Sequence, residues 1–110
     1  MKLWNVATVL AFVAGGALAA AFAGAAEKSI MQKGRQFSEK EVSIKKGDTL
    51  LFVNDDNIAH NVMSTTSGNN FNLGSLAPGK ATPVTFDKPG NIQVICAIHP
   101  IMKMLVKVAE

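Results

Sequence analysis

Residues 92–108 read IQVICAIHPIMKMLVKV, and two alternating runs inside this stretch decide how the chain folds. In residues 92–96 apolar side chains occupy every second position, which predicts a strand with one buried face. Residues 104–108 alternate in the same way, with a lysine on the opposite face. The pattern predicts two strands joined by a loop at 97–102, with Cys96 pointing inward at the end of the first strand.

Short apolar or alternating runs, separated by turn residues, continue upstream of this stretch. They cover residues 41–45, 49–53, 58–63 and 82–86. A first strand is expected near Ile30, and the run 49–53, which is continuously apolar after Thr49, predicts a strand covered on both faces. Pro78-Gly79 and Pro89-Gly90 each predict a turn in which the glycine takes a positive φ. No helical period follows residue 26, so the chain is predicted to be all-β, an antiparallel sandwich or barrel.

The first 26 residues differ from the rest of the chain. A positive start is followed by an uncharged stretch, rich in Ala and Gly, that lasts until Glu27. Small residues near its end suit a signal peptidase, so residues 1–26 are predicted to be a secretory signal that is cut after Ala25 or Ala26. An uncleaved membrane anchor is the alternative, because roughly 20 uncharged residues can span a bilayer. Residues 27–110 are predicted to form one domain, exported to the periplasm.

Composition excludes some classes of function. From Glu27 onward the chain has ten Lys or Arg and eight Asp or Glu, a formal net charge of +2. The cations are scattered, Tyr is absent and the single Trp lies in the signal segment, so no aromatic-lined basic groove for nucleic acid is expected.

The single cysteine, Cys96, cannot form an internal disulfide in an oxidising compartment. Its thiol must be buried, paired with another molecule or bound to a metal.

The cysteine, the two histidines and a nearby methionine together suggest a metal site. The chain has only two histidines, and the segment CAIHPIM places Cys96, His99 and Met102 on one short loop. His60 lies 36 residues before Cys96 and must come from another strand. One thiolate, two imidazoles and a long axial thioether form the ligand set of electron-transfer copper sites. The predicted cofactor is therefore one copper ion, with these four residues as ligands.

Two alternatives remain open at this point. Met104 is a second candidate thioether, but it shares the alternation of the predicted strand core, so Met102 is preferred as the axial ligand. The other alternative is a metal-free β-sandwich in which Cys96 is only a small buried hydrophobe.

Several short motifs of the chain occur together in one known family. They are Gly47-Asp48-Thr49, Asn54-Asp55, His60-Asn61-Val62, Pro78-Gly79, Pro89-Gly90 and Cys96-Ala-Ile-His-Pro-Ile-Met102. With these motifs the sequence resembles the cupredoxin family, in particular its plastocyanin and amicyanin branch, from about Ile30 to Val108. The resemblance implies a Greek-key β-sandwich that binds one type 1 copper ion at one end.

The resemblance also implies roles for residues next to the ligands. Asn61 would donate its backbone N–H to the Cys96 sulfur, and its side chain would brace the ligand loop. Pro100 has no N–H, so it leaves the sulfur one donor fewer and should lower the reduction potential. Ala97 stands where relatives often carry Ser or Thr, so the brace is expected to lack a hydroxyl partner. The chain has no Tyr-plus-acidic patch, so no docking surface of the plastocyanin kind is expected.

The function implied is one-electron transfer between redox partners by a periplasmic carrier that cycles between Cu(I) and Cu(II). It is not expected to be an enzyme, because two histidines leave no second copper site for oxygen or nitrite. Transient partner proteins are expected to dock on an apolar patch around His99, formed by Ile98, Pro100 and Ile101. We expect a monomer with no nucleic acid or small-molecule substrate, and with membrane contact only if residues 1–26 are retained. The alternative is a periplasmic copper-storage or copper-delivery protein that uses the same ligands.

Overall fold

The computed structural model describes residues 24–110, and nine β-strands follow one another in this part of the chain. They are β1 (Glu27–Lys33), β2 (Gln36–Phe37), β3 (Glu41–Lys45), β4 (Thr49–Asn54), β5 (His60–Ser64), β6 (Phe71–Leu76), β7 (Ala81–Thr85), β8 (Gly90–Ile95) and β9 (Lys103–Ala109). None of the described residues lies in a helix, so none of them forms a helix that could cross a bilayer. The predicted signal segment, residues 1–26, falls almost wholly outside the described residues.

The strands form a sandwich of two sheets, as the sequence predicts. One sheet has the order β2-β1-β4-β7 and the other has the order β3-β9-β8-β5-β6. The expected antiparallel pairing is wrong at two places, because β1 runs parallel to β4 and β3 runs parallel to β9. In both cases the chain visits the opposite sheet between the two partners, which supplies the long crossover that parallel strands need.

Two local predictions are confirmed. Ile30 lies in β1, the first strand of the described chain. Gly79 has a φ of 85°, as the predicted turn requires, whereas Gly90 has a φ of 142° and is the first residue of β8, so the second predicted turn is not formed at this glycine. The turn at Gly79 is closed by a hydrogen bond of 3.0 Å from the Lys80 N–H to the Ala77 carbonyl.

The core is built from the inward face of each strand. Leu50 and Phe52 of β4 are fully buried, whereas Leu51 and Val53 on its other face are only half-buried. The prediction that both faces of residues 49–53 are covered is therefore half right. The sandwich has two layers, so the outer face of β4 is shielded only by neighbouring side chains on the same sheet.

The connection between β8 and β9 brings the candidate ligands to one end of the sandwich. β8 and β9 pair antiparallel, and Val94 lies opposite Met104 in the core. Cys96 follows β8 directly, at the start of the loop that leads to β9. On its other side β8 pairs with β5, which begins at His60. Two distant parts of the chain therefore place their residues beside each other on a rigid sheet.

Candidate metal centre

Three of the four predicted ligands present donor atoms to a common point. His60, Cys96 and His99 each offer one ligand atom, and these atoms all lie within 4.8 Å of one another. The Cys96 Sγ lies 4.0 Å from Nδ1 of His60 and 3.9 Å from Nδ1 of His99. His60 and Cys96 are fully buried and His99 is half-buried. The hypothesis that Cys96 is only a buried hydrophobe leaves this convergence of two imidazoles unexplained.

The spacing of these atoms fits donors that share one ion. First-row metals bind imidazole nitrogen at about 2.0 Å and thiolate at about 2.3 Å, taking zinc as the guide. At a trigonal angle two such donors are about 3.7 Å apart, close to the two separations found here. The two imidazole rings are steeply inclined at 66°, with centroids 5.0 Å apart, so each Nδ1 reaches the sulfur from a different side.

Backbone hydrogen bonds fold the loop so that Met102 lies next to the other candidates. The Met102 N–H donates to the His99 carbonyl at 2.8 Å, and the Cys96 N–H donates to the Met102 carbonyl at 3.2 Å. Met102 is buried, at the end of the loop. Met104 is also buried, but it lies opposite Val94 within the β8–β9 ladder. The parity argument for Met104 as a core residue is thus confirmed, and Met102 is the thioether that the loop carries.

Asn61 connects the cysteine, the loop and the neighbouring strand. Its backbone N–H donates to the Cys96 sulfur at 3.2 Å, as the family resemblance implied. Its side-chain Oδ1 accepts the Ala97 N–H at 2.9 Å, and its Nδ2 donates to Asn72 Oδ1 and to the Gly74 carbonyl, both at 2.8 Å. Ala97 supplies no hydroxyl partner, as expected, and the brace uses the backbone N–H of this residue.

Asp56 is a participant that sequence reasoning missed. Its Oδ2 lies 2.8 Å from Nε2 of His60. A carboxylate accepts hydrogen bonds, so Nε2 carries the proton and Nδ1, which faces the sulfur, has its lone pair free for a metal. The hydrogen bond from His60, with weaker ones from the Arg35 and Asn57 N–H groups, holds the pKa of Asp56 below its ordinary value. The available signal was an acid four residues before the histidine, in a loop that otherwise looks merely polar.

Asn54 fixes the loop that carries Asp56. This amide is fully buried at the end of β4. Its Nδ2 donates to the Ile58 and Leu76 carbonyls at 2.9 and 2.8 Å, and its Oδ1 accepts the Asp56 N–H at 2.9 Å. All three bonds end on backbone groups, so the position of Asp56 against the histidine is set by the fold rather than by a flexible side chain.

The surface beside the centre is apolar. Ile98 is 49% exposed and Ile101 is 82% exposed, although both are large aliphatic side chains. Pro100 is exposed between them, and the half-buried His99 belongs to the same loop. The apolar patch that the sequence predicts around His99 is therefore present on the described surface.

The chain is similar to known copper proteins. The model of a family described as copper binding proteins of the plastocyanin/azurin family matches residues 24–109. A purple cupredoxin from Nitrosopumilus maritimus is 26% identical, with a TM-score of 0.66 over 74% of this chain and 99% of that one. Amicyanin from Paracoccus versutus is 27% identical, with a TM-score of 0.67 over 74% of this chain and 80% of that one.

One similar structure is much larger than this chain. The copper-containing nitrite reductase from Thermus scotoductus is 29% identical, with a TM-score of 0.71 over 76% of this chain, but the match spans only 22% of the reductase. None of the curated proteins matches the sequence.

Proposed function

Because the chain belongs to the plastocyanin/azurin family of copper-binding proteins, we propose that it is a one-electron carrier with a single type 1 copper site. The observation that carries the proposal is the convergence of the Cys96 sulfur and one Nδ1 from each of His60 and His99. Copper, when bound, supplies a couple between Cu(I) and Cu(II). Proteins of the amicyanin and plastocyanin type use that couple to carry electrons.

The proposed ligands have separate tasks. Cys96 would hold the ion through its thiolate, His60 and His99 through one imidazole nitrogen each, and Met102 through its thioether. Thiolate and thioether favour Cu(I), whereas imidazole also suits Cu(II), so the set is a compromise between the two oxidation states. Among the described residues, the backbone N–H that donates to the Cys96 sulfur is that of Asn61. This hydrogen bond withdraws some charge from the thiolate.

Rigidity supports a carrier. The three donor atoms lie within 4.8 Å of one another, and hydrogen bonds hold His60 through Asp56 and the loop through Asn61. A site that is held in place changes little between oxidation states, so electron transfer needs little rearrangement. A protein that releases copper as cargo would instead gain from a loop that opens.

Electrons are proposed to enter and leave beside His99, where the ligand loop meets an apolar surface. Redox encounters of this kind bury little area and separate quickly. The similarity to a nitrite reductase does not extend to its activity in this proposal. Both histidines of the chain are committed to one site, which leaves no imidazole for a second metal. We propose a monomer in the periplasm, on the basis of the predicted signal at residues 1–26.

Adding Cu(II) to the purified protein tests the function. A carrier should take up one equivalent and develop an intense thiolate charge-transfer band toward the red end of the visible spectrum. Ascorbate should bleach that band, and air or hexacyanoferrate(III) should restore it. Tight Cu(I) binding with a pale Cu(II) form would instead favour copper storage or delivery with the same ligands. No stoichiometric binding of either ion would refute the proposed site.

A further inference from the structure

A groove opens on the side of the metal centre where Met102 lies. It is a cavity of about 210 Å³ between the β1–β2 hairpin and the start of β9. The residues that line it include Arg35, Phe37, Lys40, Ile101, Met102 and Lys103. Because Met102 is the proposed axial ligand, the groove lies beside the ligand shell.

The groove is positively charged. Three cations line it, Arg35, Lys40 and Lys103, and no carboxylate does. All three are exposed, and none of them forms a salt bridge to another described residue. The cations that are paired lie elsewhere, in the bridges Lys28–Glu39, Lys33–Asp55 and Lys107–Glu41. Unpaired like charges around a cleft raise the local concentration of anionic groups.

The base of the groove is apolar, and its rim carries an exposed aliphatic side chain. Phe37 and Met102 are buried beneath it, and Ile101 is 82% exposed at its edge. An isoleucine this exposed, next to buried apolar side chains, suits a protein surface better than a small hydrated anion. The combination of an apolar contact and a cationic rim is typical of an electrostatically steered docking site.

We propose that this groove docks an acidic redox protein, whose carboxylates pair with Arg35, Lys40 and Lys103 and whose apolar surface covers Ile101. The inference rests on the proposed electron-transfer function and specifies the chemistry of the partner. In the docked complex one electron passes between the partner's redox centre and the copper site. An oxidised partner takes one electron from the site, which goes from Cu(I) to Cu(II). A reduced partner gives one electron to the site, which goes from Cu(II) to Cu(I).

Charge-reversal variants of the copper-loaded full chain test the groove. K40E/K103E changes two groove lysines, and K46E/K88E makes the same change in net charge at two exposed lysines on the opposite end of the sandwich. Oxidation of the Cu(I) protein is followed by stopped flow, with anionic hexacyanoferrate(III) and cationic tris(phenanthroline)cobalt(III) as oxidants. K40Q/K103Q serves as the second variant if charge reversal impairs copper loading.

We expect K40E/K103E to lower the rate of oxidation by hexacyanoferrate(III) roughly tenfold at low salt and to raise the rate of oxidation by the cobalt complex. Both effects should fade at high salt. K46E/K88E should change either rate by about twofold or less. Equal effects of the two variants would overturn the proposal, since only net charge would then matter. A native protein without the charge-transfer band would overturn the proposed function instead, so the two failures are distinguishable.

An acidic peptide separates a protein-docking surface from a site for small anions. Hexaglutamate, which is redox-inactive, should inhibit hexacyanoferrate(III) oxidation and shift the amide NMR signals of Phe37, Lys40 and Lys103. Acetate at the same carboxylate concentration should do neither. Equal action of acetate, or shifts confined to residues outside the groove, would overturn the assignment of the partner.

Discussion

Replacing Asn61 with alanine tests how the ligand loop is held. The side chain makes three hydrogen bonds, to the Ala97 N–H at 2.9 Å and to Asn72 Oδ1 and the Gly74 carbonyl at 2.8 Å each. Each of these part-buried bonds contributes about 1 kcal/mol net, so Asn61→Ala should lower the free energy of unfolding of the copper-free protein by about 3 kcal/mol. If the free energy of unfolding falls by about 1.5 kcal/mol per molar of urea, the midpoint of urea unfolding should fall by about 2 M.

Urea unfolding followed by circular dichroism measures this loss, and two variants serve as controls. Asn69→Ala should cost less than about 0.5 kcal/mol, because surface substitutions of this kind are nearly neutral, and its amide makes one exposed bond of 3.4 Å. Ala97→Ser should leave the midpoint almost unchanged, because the brace uses the backbone N–H of that residue. A loss below about 1 kcal/mol for Asn61→Ala, or a large gain for Ala97→Ser, would show that the Asn61 side chain does not hold the ligand loop in this way.

Three further predictions concern the axial ligand, the histidine partner and acid stability. Met102→Gln should shift the charge-transfer spectrum and the reduction potential much more than Met104→Leu, and equal shifts would contradict the choice of ligand. Asp56→Asn removes the charge beside the ligand imidazole and should raise the reduction potential in voltammetry, whereas Asp55→Asn, in an exposed ion pair, should not. The pKa of Asp48 is held below its ordinary value by N–H groups of Lys45 and Ala26, so its stabilisation is present above about pH 4 and is lost as the pH falls through the lowered pKa. Unfolding between pH 5 and 2 should therefore become less pH-dependent in Asp48→Asn, and an unchanged profile would contradict this.

The sequence determines most of the site because alternation and spacing are local. Period-two alternation fixes Cys96 as an inward residue and assigns Met104 to the core. The short loop then necessarily brings His99 and Met102 close to the sulfur. His60 is different, since nothing local says which strand lies beside β8. Its position followed from the ligand set and the family resemblance, and the β5–β8 pairing supplies the physical reason.

The contacts that sequence reasoning missed or misjudged depend on backbone geometry. The parallel pairing of β1 with β4 comes from a crossover that the apolar pattern of either strand does not record. The Ala97 N–H reaches Oδ1 of Asn61 because the chain turns toward Asn61 at that residue. Asp56 reaches the ligand imidazole because Asn54 holds the intervening loop by three backbone contacts. The identities of the residues alone do not predict this strand pairing or these hydrogen bonds.

Anomalous diffraction at the copper edge, from crystals of the copper-loaded protein, tests most directly whether residues 60, 96, 99 and 102 share one ion. A single peak should lie within bonding distance of the Cys96 sulfur and of Nδ1 of both histidines, with the Met102 sulfur as a longer contact. A peak away from these atoms, or one that the Cys96 sulfur does not reach, would contradict the account.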